Sequence, residues 1–486
     1  MSLDNFEKAK SLFDEGIEHS KQSNYILAEK KFLDSLNLLP ERLSIVGNLF
    51  TIYFNTNNNL QLKNLLSKYE KFSNEKEIIY GRAINLYFEK KYSDSIKLCK
   101  KLINIEEIQE FILDLLAFNY QNLNLYFESL NTFKKRLKIK RDYIAYYNLG
   151  NFFYEIGKPR QAFYYYKKSD LYNNKDKSNL WNLSLCALTL EKLELGFSLY
   201  ENRWLKRIDP IRKKFTEIKS PLNLKEIENK KILISDEQGL GDTIQFSRFV
   251  IDLLNYTTKI TFVVNSKLLK LFSNLDKNIN VVDYSNLKLN NYEYHISVCS
   301  LPNLLNIKKK SDINFYKLSI DENFEYKLNN KKNINVGMCW SGNTNYPRDK
   351  YRSINFGKVK EFILKNRDVN FYKLSRDPKE INQIDYNLIP NLTDLGKRNL
   401  FEISQLLNKF DLLVSSDTSI VHLAGILNIK CILLLNYNSD WRWFLDTQKT
   451  IWYPSITIIK QKKINNWDDV FEELDQILQE KKRQKS

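Results

Sequence analysis

From position 231 to position 250 the chain reads Lys231-Ile-Leu-Ile-Ser-Asp-Glu-Gln-Gly-Leu-Gly-Asp-Thr-Ile-Gln-Phe-Ser-Arg-Phe-Val250. The apolar run at 231–235 predicts a short strand, and the Gly239-Leu240-Gly241 turn that follows can pass close to a ligand. A helix is predicted to open at Asp242 or Thr243, whose side-chain oxygens can cap free backbone N–H groups. Strand, turn and helix in this order are typical of open α/β sheets, which bind ligands at the mouth of such turns.

A second segment far downstream repeats this arrangement: Leu412-Leu-Val-Ser-Ser-Asp-Thr-Ser-Ile-Val-His-Leu-Ala-Gly425. Strands are predicted between and around the two segments, at 231–235, 260–264, 279–283, 334–340, 370–374, 411–415 and 430–435. Helices are predicted between most of these strands, and a helix-rich tail closes the chain. The two consecutive sets predict two Rossmann-like halves, at 229–325 and 333–478, with the break near 321–333.

The composition excludes several kinds of protein. Five cysteines are scattered without a Cys-x-x-Cys pair, which argues against a disulfide framework or zinc site and favours a reducing compartment. The first residues do not resemble a signal peptide, and no apolar run approaches the roughly 20 residues that cross a bilayer. We therefore expect a cytoplasmic protein without a transmembrane segment.

The chain carries a formal charge of +17, from 75 Lys and Arg against 58 Asp and Glu. Three interpretations stay open: solvated helix faces, attraction to anionic nucleotide-sugars, and attraction to an anionic surface. Binding to nucleic acid is not expected, because the basic residues are spread along the chain and no DNA- or RNA-binding motif occurs.

Residues 1–205 are predicted to be helical, because aromatic and aliphatic residues recur three and four positions apart. Small residues also recur at a longer period of 34, 33 and 34 positions, at Ser95, Ser129, Ala162 and Gly196. This period resembles that of tetratricopeptide repeats, with an irregular helical bundle as the alternative. Such repeats commonly bind polypeptide on their concave face. The repeat at about 43–75 is poorly marked, and Pro210 and Pro221 predict a linker at 206–228.

Five segments carry a resemblance to a known family: 237–246, 336–343 together with Arg352-Ser353, 416–425, Asp440-Trp-Arg-Trp443 and Trp452-Tyr-Pro454. They resemble the bacterial tetratricopeptide-repeat glycosyltransferases with a heptosyltransferase-like domain and, more distantly, the O-linked N-acetylglucosamine transferases. The resemblance implies a GT-B fold, with the first half on the acceptor side and the second on the donor side. It also implies a nucleotide-diphospho-sugar donor, inversion at the sugar, and no metal or other cofactor. Separately, the sequence has no Asp-x-Asp motif of the kind that metal-dependent GT-A enzymes use.

Inverting transfer needs a base that takes a proton from the acceptor hydroxyl. Asp242 aligns with the family's proposed base, and Gly239, Gly241 and Gln245 are expected to form the active-site loop. The alternative is that Asp242 only caps the helix that follows. A position at a helix N-terminus is expected to lower its pKa, which keeps the carboxylate charged but makes it a weaker base.

Transfer also needs fixed positive groups that stabilise the departing diphosphate. One candidate is the helix N-terminus that Asp417, Thr418 and Ser419 open, where Asp417 is expected to cap the helix or to hold a sugar or ribose hydroxyl. The other is Arg352, whose guanidinium can bind two phosphate oxygens, unless it is only a surface arginine. His422 is expected either to contact the donor or to bond to a neighbouring backbone group.

The loop after the predicted strand 334–340 is expected to contact the donor as well, through Trp340, Ser341, Gly342 and Asn343 beside Arg352 and Ser353. The segment Asp440-Trp441-Arg442-Trp443 is expected to line the same cleft, with the alternative that its tryptophans belong to the core.

Two functions follow from these patterns. The first is a glycosyltransferase whose repeats recruit a protein or glycan acceptor, or a partner protein, to the GT-B site. The second is a non-catalytic scaffold in which the transferase part only binds.

Overall fold

The computed structural model describes residues 3–203, 215, 217–289, 291–320, 326, 328, 333–346, 348–374, 385–445 and 448–485. The chain divides into two compact units, residues 1–183 and 184–486. Pro210 and most of the predicted break at 321–333 lie outside the described residues. No described helix is both long and apolar enough to cross a membrane.

The first unit is built from pairs of consecutive helices that pack against each other. The pairs are α1 (Leu3–Lys21) with α2 (Tyr25–Leu38), α3 (Leu43–Asn55) with α4 (Asn59–Lys68), α5 (Lys76–Phe88) with α6 (Tyr92–Leu102), α7 (Gln109–Asn122) with α8 (Tyr126–Ile139), and α9 (Tyr143–Glu155) with α10 (Pro159–Tyr172). The poorly marked stretch at about 43–75 thus forms a helix pair like the others. A further pair, α11 (Lys177–Thr189) and α12 (Leu193–Tyr200), follows, and the division between the two units falls inside α11.

The small residues of the repeat period lie where helices cross closely. Ser95 and Ser129 are fully buried, and each donates a hydrogen bond from Oγ to a carbonyl of the preceding helix, at 2.8 Å to Ala83 and 2.9 Å to Ala117. A larger side chain at these positions would separate the paired helices. The repeat prediction is therefore confirmed by its packing.

Glycine serves the same purpose inside α9. A Cβ atom built on Gly150 would lie 2.5 Å from ring atoms of Tyr166, which is buried on α10. On α3, a Cβ atom on Gly47 would meet only the flexible side chain of Glu77, at 3.2 Å. The two helical glycines therefore differ in what surrounds them.

We predict that Gly150→Ala destabilises the helical repeats by about 1–3 kcal/mol, because the aromatic ring cannot move without repacking the pair. The matched change Gly47→Ala should be neutral or stabilise by about 0.5–1 kcal/mol, because alanine favours helix more than glycine does. Urea unfolding followed by the circular dichroism of the helices measures both. Equal effects of the two changes would contradict the close crossing at Gly150.

The second unit contains two parallel sheets. The first sheet has the order β3-β2-β1-β4 and consists of β1 (Ile232–Ser235), β2 (Ile260–Val264), β3 (Ile279–Asp283) and β4 (Tyr294–Ser297). Its helices are α13 (Leu240–Asp252), α14 (Ser266–Phe272) and α15 (Leu301–Leu304). Strand β4 was not predicted, because its sequence Tyr-His-Ile-Ser lacks the apolar run that marks its neighbours.

The second sheet has the order β10-β9-β8-β5-β6-β7, which is the doubly wound order 3-2-1-4-5-6 read from its other edge. Its strands are β5 (Ile334–Cys339), β6 (Val369–Lys373), β7 (Leu392–Asp394), β8 (Leu412–Ser416), β9 (Cys431–Leu435) and β10 (Ile456–Lys460). Its helices are α16 (Asp349–Arg352), α17 (Phe356–Lys365), α18 (Leu400–Leu407), α19 (Ser419–Ile426) and α20 (Asp468–Lys485). The predicted class, helical repeats followed by two Rossmann-like halves, is confirmed; the short β7 and the tail strand β10 were missed.

The end of the last repeat packs within the second unit. Phe197 and Tyr200 of α12 contact the ring of Trp441 edge-on, with centroids 6.1 and 5.8 Å away. The Tyr200 hydroxyl also accepts a hydrogen bond of 2.8 Å from Gln238, in the loop after β1. Part of the predicted repeat region 1–205 is therefore built into the α/β unit.

Candidate active site

Asp242 lies at the carboxyl end of β1, in the first turn of α13. The helix begins at Leu240, two residues earlier than predicted, with Gly239 as its N-cap. One carboxylate oxygen of Asp242 accepts a 2.8 Å hydrogen bond from the Gly239 N–H, and the other forms an ion pair with the guanidinium of Arg442. Asp242 thus caps the helix with one oxygen while the other is held by a residue of the second half.

The environment of Asp242 differs from the one predicted. Burial raises its pKa, and this effect outweighs the lowering by Arg442 and by the Gly239 hydrogen bond. The expected lowering at the helix N-terminus was therefore wrong, because desolvation of a carboxylate dominates at this depth. A raised pKa makes the carboxylate a better proton acceptor.

Arg442 belongs to the segment 440–443 that was predicted to line the cleft, but it was given no role of its own. It follows β9 and is buried between two carboxylates, Asp242 and Asp440, with a 2.7 Å ion pair to the latter. Burial alone would raise the pKa of Asp440, but Arg442 brings it below its ordinary value. The Asp-x-Arg spacing of 440–442 was the available signal, and only the fold supplies the third partner, Asp242.

Gly241 marks the place where the two halves approach most closely. A Cβ atom built there would lie 2.8 Å from the His422 ring and 3.4 Å from the Cα of Ser419. The glycine therefore lets α13 of the first half cross α19 of the second. The glycine turn was predicted to pass close to a ligand; what lies against Gly241 in this structure is a helix of the other half.

His422 is buried within this crossing. Its Nδ1 lies 2.9 Å from the Tyr453 hydroxyl, and its ring stacks on Trp443 with centroids 5.2 Å apart. Burial lowers the pKa of His422 to about 3, with nearby arginines acting in the same direction. His422 is therefore neutral at physiological pH. Its hydrogen-bond partner is the Tyr453 side chain, whereas the prediction was either contact with the donor or a bond to a backbone group.

The loop after β5 holds Arg352 in place through Asp349. This carboxylate accepts 2.9 Å from Arg352 Nε and 2.8 Å from Ser353 Oγ, and Ser353 in turn accepts 3.1 Å from the Gly342 N–H. A Cβ atom on Gly342 would lie 2.6 Å from Arg352 Nη2, so only glycine leaves room for the guanidinium there. Asp349, which the sequence analysis missed, positions both predicted residues.

Arg352 also joins two loops of the second half. Its Nη1 donates a 2.8 Å hydrogen bond to the backbone carbonyl of Asp417, in the loop after β8. Strands β5 and β8 are neighbours at the point where the strand order reverses. Crevices at such switch points, outside the carboxyl ends of the strands, are where open α/β sheets bind ligands.

The helix α19 that begins beside Arg352 is capped differently from the prediction. Thr418 is its N-cap and accepts a 3.3 Å hydrogen bond at Oγ1 from the Ile420 N–H, and Ser419 is its first residue. Asp417 is therefore not the cap. Burial and the neighbouring Asp440 raise the pKa of the Asp417 carboxyl to about 6, although Arg352 opposes this.

The remaining predicted residues differ in burial: Trp340, Ser341 and Gln245 are buried, whereas Asn343 is exposed. Trp340 is fully buried in the hydrophobic core of the second half, and Ser341 is also buried. Asn343 accepts a 3.1 Å hydrogen bond from the Asn345 N–H within its own loop. Gln245 is completely buried on α13, and neither its amide oxygen nor its amide nitrogen has a hydrogen-bond partner among the residues that the structure describes.

The two tryptophans of 440–443 are each only 1% exposed, so they belong to the core. Another buried charge cluster lies beside the Gly239 turn. Arg203, just after α12, binds both carboxylate oxygens of Glu237 at 2.8 Å and also pairs with Glu201. Paired buried charges of this kind hold the loop in one arrangement.

In the described part of the chain, no group of three or more His, Cys, Asp or Glu side chains could hold a metal ion.

Comparison with known proteins gives similar structures but no sequence family. No protein-family model and no curated protein matches the chain. The similar solved structures include E. coli ADP-heptose LPS heptosyltransferase II (12% identity, 51% of this chain and 99% of that one, TM-score 0.37). They also include the glycosyltransferase TibC from enterotoxigenic E. coli (14%, 53% and 78%, 0.38) and a thermophilic TPR protein from Thermus thermophilus (11%, 37% and 99%, 0.32).

Both kinds of structure that the sequence motifs resemble, repeat proteins and heptosyltransferases, are thus among the similar structures. The predicted similarity to O-linked N-acetylglucosamine transferases is not shown. At these identities and TM-scores, the similarities say nothing about the activity of this chain. Its function has to follow from its own contacts.

The raised pKa of Asp417 predicts a pH dependence of stability. Between the ordinary carboxyl pKa and about 6, the folded chain keeps a proton on Asp417 that the unfolded chain has lost. The free energy of unfolding of the second unit should therefore fall as pH rises through this range, relative to Asp417→Asn, by at most about 3 kcal/mol. Urea unfolding followed by tryptophan fluorescence measures this, because six of the seven tryptophans lie beyond residue 183.

Asp368→Asn provides a control of opposite sign. Lys482 lowers the pKa of Asp368, so its small contribution is present at neutral pH and is lost as pH falls. A difference between wild type and Asp417→Asn that does not change between about pH 4 and pH 6 would contradict the assignment.

Proposed function

We propose that the chain is an inverting glycosyltransferase that uses a nucleotide-diphospho-sugar and needs no metal ion. The observation that supports this most directly is the pairing of Asp242, at the carboxyl end of β1, with Arg442 of the second half. It brings a carboxylate of raised pKa from one Rossmann-like half together with cationic groups of the other. Direct displacement at a sugar needs this combination of base and anion-stabilising groups.

In the proposed reaction, Asp242 takes the proton of the acceptor hydroxyl as its oxygen attacks the anomeric carbon. The bond from that carbon to the diphosphate oxygen breaks, and the nucleoside diphosphate leaves with the electron pair. Burial supports Asp242 as the base, since it raises the pKa towards the working range of a general base.

Arg352 is proposed to bind the diphosphate at the switch point of the second sheet. Asp349 and the Asp417 carbonyl each take one N–H of the guanidinium, which leaves further N–H groups for phosphate oxygens. The first N–H groups of α19, next to Asp417, add a second source of positive potential. No metal ion is required for charge balance in this scheme.

Arg442 is proposed to couple donor binding to the base. It is paired with Asp242 on one side and with Asp440 on the other. A diphosphate that reaches Arg442 replaces Asp242 as its partner, because the more highly charged anion interacts more strongly. Asp242 is then free to accept a proton only when the donor is present.

The repeats are proposed to recruit the acceptor, as arrays of this kind commonly bind polypeptide. The packing of Phe197 and Tyr200 against Trp441 supports a continuous path from the last repeat to the Gly239 loop.

We predict that Asp242→Asn lowers turnover by roughly 10²–10⁴-fold, the usual contribution of a general base. Donor affinity should stay equal or increase, because Arg442 loses a competing anion. Steady-state transfer and calorimetry with a panel of nucleotide-sugars measure the two effects. Asp252→Asn, at the other end of α13, is the matched control and should keep wild-type turnover. Wild-type turnover in folded Asp242→Asn would exclude the base role.

We predict that Arg352→Ala weakens nucleoside diphosphate binding roughly 10- to 150-fold, as expected for losing a charge-assisted hydrogen bond. The corresponding nucleoside without phosphates should bind both proteins equally. Arg367→Ala removes an exposed arginine that precedes β6, at the amino end of a strand of the same sheet, and should change neither affinity. An equal loss for nucleoside and nucleoside diphosphate would contradict a phosphate contact.

The non-catalytic scaffold is the second candidate, since one carboxylate oxygen of Asp242 is paired with Arg442 and the other caps the helix. Calorimetry with the donor panel distinguishes the two. Binding followed by slow hydrolysis of the donor supports the enzyme, whereas binding without any turnover supports the scaffold.

A further inference from the structure

The second helices of the fourth and fifth repeats, α8 and α10, expose large apolar side chains, as α2 and α4 do with Ile26 and Leu60. Phe127 is 75% exposed, Leu171 is 78% exposed and Tyr164 is 54% exposed. Ile139 and Tyr172, at the ends of the two helices, are about half exposed as well, at 49% and 53%. Each of these side chains keeps about half or more of its surface open to solvent.

Charge is divided unevenly between the helices of the same two repeats. The second helices α8 and α10 contain seven Lys or Arg residues and two acidic residues. The first helices α7 and α9 contain no Lys or Arg and three acidic residues. The positive charge of this part of the chain therefore lies on the helices that also expose the apolar side chains.

The exposed apolar and cationic residues share one side of each helix. Spacings of three, four or seven positions align Phe127, Lys134 and Lys138 on α8, and Arg160, Tyr164, Lys167 and Leu171 on α10. These seven residues are called the outer face below. All of them are exposed, and the set contains no acidic residue. Lys134 and Lys138 form no ion pair among the residues that the structure describes.

We propose that the outer face binds the surface of a membrane that contains anionic lipids. Apolar side chains that protrude between lysines are suited to this, because the rings and aliphatic groups enter the headgroup region while the cations meet lipid phosphates. A peptide ligand would instead need a groove. A second copy of the chain would bring like charges together across a symmetric contact. The proposal does not depend on the proposed transferase activity.

Such binding gives the charge of the chain a specific use. The net charge of +17 alone would attract any polyanion, but it would not explain apolar side chains exposed among the lysines. No described helix can cross a membrane, so the binding would be peripheral and reversible.

The test is co-sedimentation of the full chain with two kinds of vesicles, phosphatidylcholine alone and phosphatidylcholine with about 30% phosphatidylglycerol. We expect binding to the anionic vesicles only, and weaker binding at about 0.5 M salt. The double variant Lys134→Glu/Lys138→Glu should bind at least roughly 25-fold more weakly, since each lost cation contributes about 5-fold. The variant Phe127→Ser/Leu171→Ser should bind at least roughly 10-fold more weakly, because it removes the inserted apolar groups.

Matched controls separate the outer face from general charge and hydrophobicity. Lys8→Glu/Lys10→Glu makes the same charge change on α1, and Leu222→Ser/Leu388→Ser removes two exposed leucines of the second unit. Both controls should bind the anionic vesicles within about 5-fold of wild type. Circular dichroism is used to test whether each variant is folded. The fold should persist, because the residues of all four substituted pairs are exposed.

Three results would overturn the proposal. The first is that the wild-type chain does not bind anionic vesicles, and the second is that the outer-face variants and their controls lose vesicle binding equally. The third is that the chain binds polyglutamate as strongly as vesicles and that Phe127→Ser/Leu171→Ser does not weaken this binding, which would assign the outer face to an acidic protein partner.

Discussion

The crossing of α13 and α19 at Gly241 is the contact on which the candidate site depends. Because residue 241 has no side chain, the first turn of α13 can lie directly against Ser419 and His422. In the same region, Asp242 of the first half forms an ion pair with Arg442 of the second. A side chain at residue 241 would meet the His422 ring, so the two helices would have to move apart or repack.

Buried charges around this crossing are arranged as alternating partners. Asp242, Arg442 and Asp440 form one series, and Asp349 with Arg352 forms another that ends at the Asp417 carbonyl. Such a set is stable only when each member is paired. A site built this way is sensitive to an added anion, since a ligand can exchange with one of the existing partners. This exchange is the physical basis of the proposed link between donor binding and release of Asp242.

The repeats and the α/β unit are less separate than the repeat period implies. The repeat period continues to Gly196, on α12. The same helix packs Phe197 and Tyr200 against Trp441 of the α/β part. Arg203 extends this contact to Glu237, directly before the glycine turn. The last repeat therefore supports the loop that holds Asp242, whereas the fourth and fifth repeats carry the exposed cationic side.

The sequence by itself determined the repeat architecture and the parallel strands with long apolar runs. Small residues 33 or 34 positions apart predict helices that cross at a regular interval, and Ser95 and Ser129 lie at such crossings. The motif loops after β1, β5 and β8 were also found from sequence, because glycine and capping residues mark where strands end. The short strands β4 and β7 were not found from sequence, because they lack an apolar run of their own. They form strands through backbone pairing with β1 and β6.

Only the tertiary structure decided which charges meet and what burial does to them. Arg442 is 200 positions from Asp242 in the chain, and no local pattern joins the two. The helix N-terminus alone would lower the pKa of Asp242, but desolvation by the second half raises it. Local sequence sets the capping geometry, whereas burial and ion pairing depend on residues brought together by the fold, so the electrostatics of this site could not be predicted from the sequence.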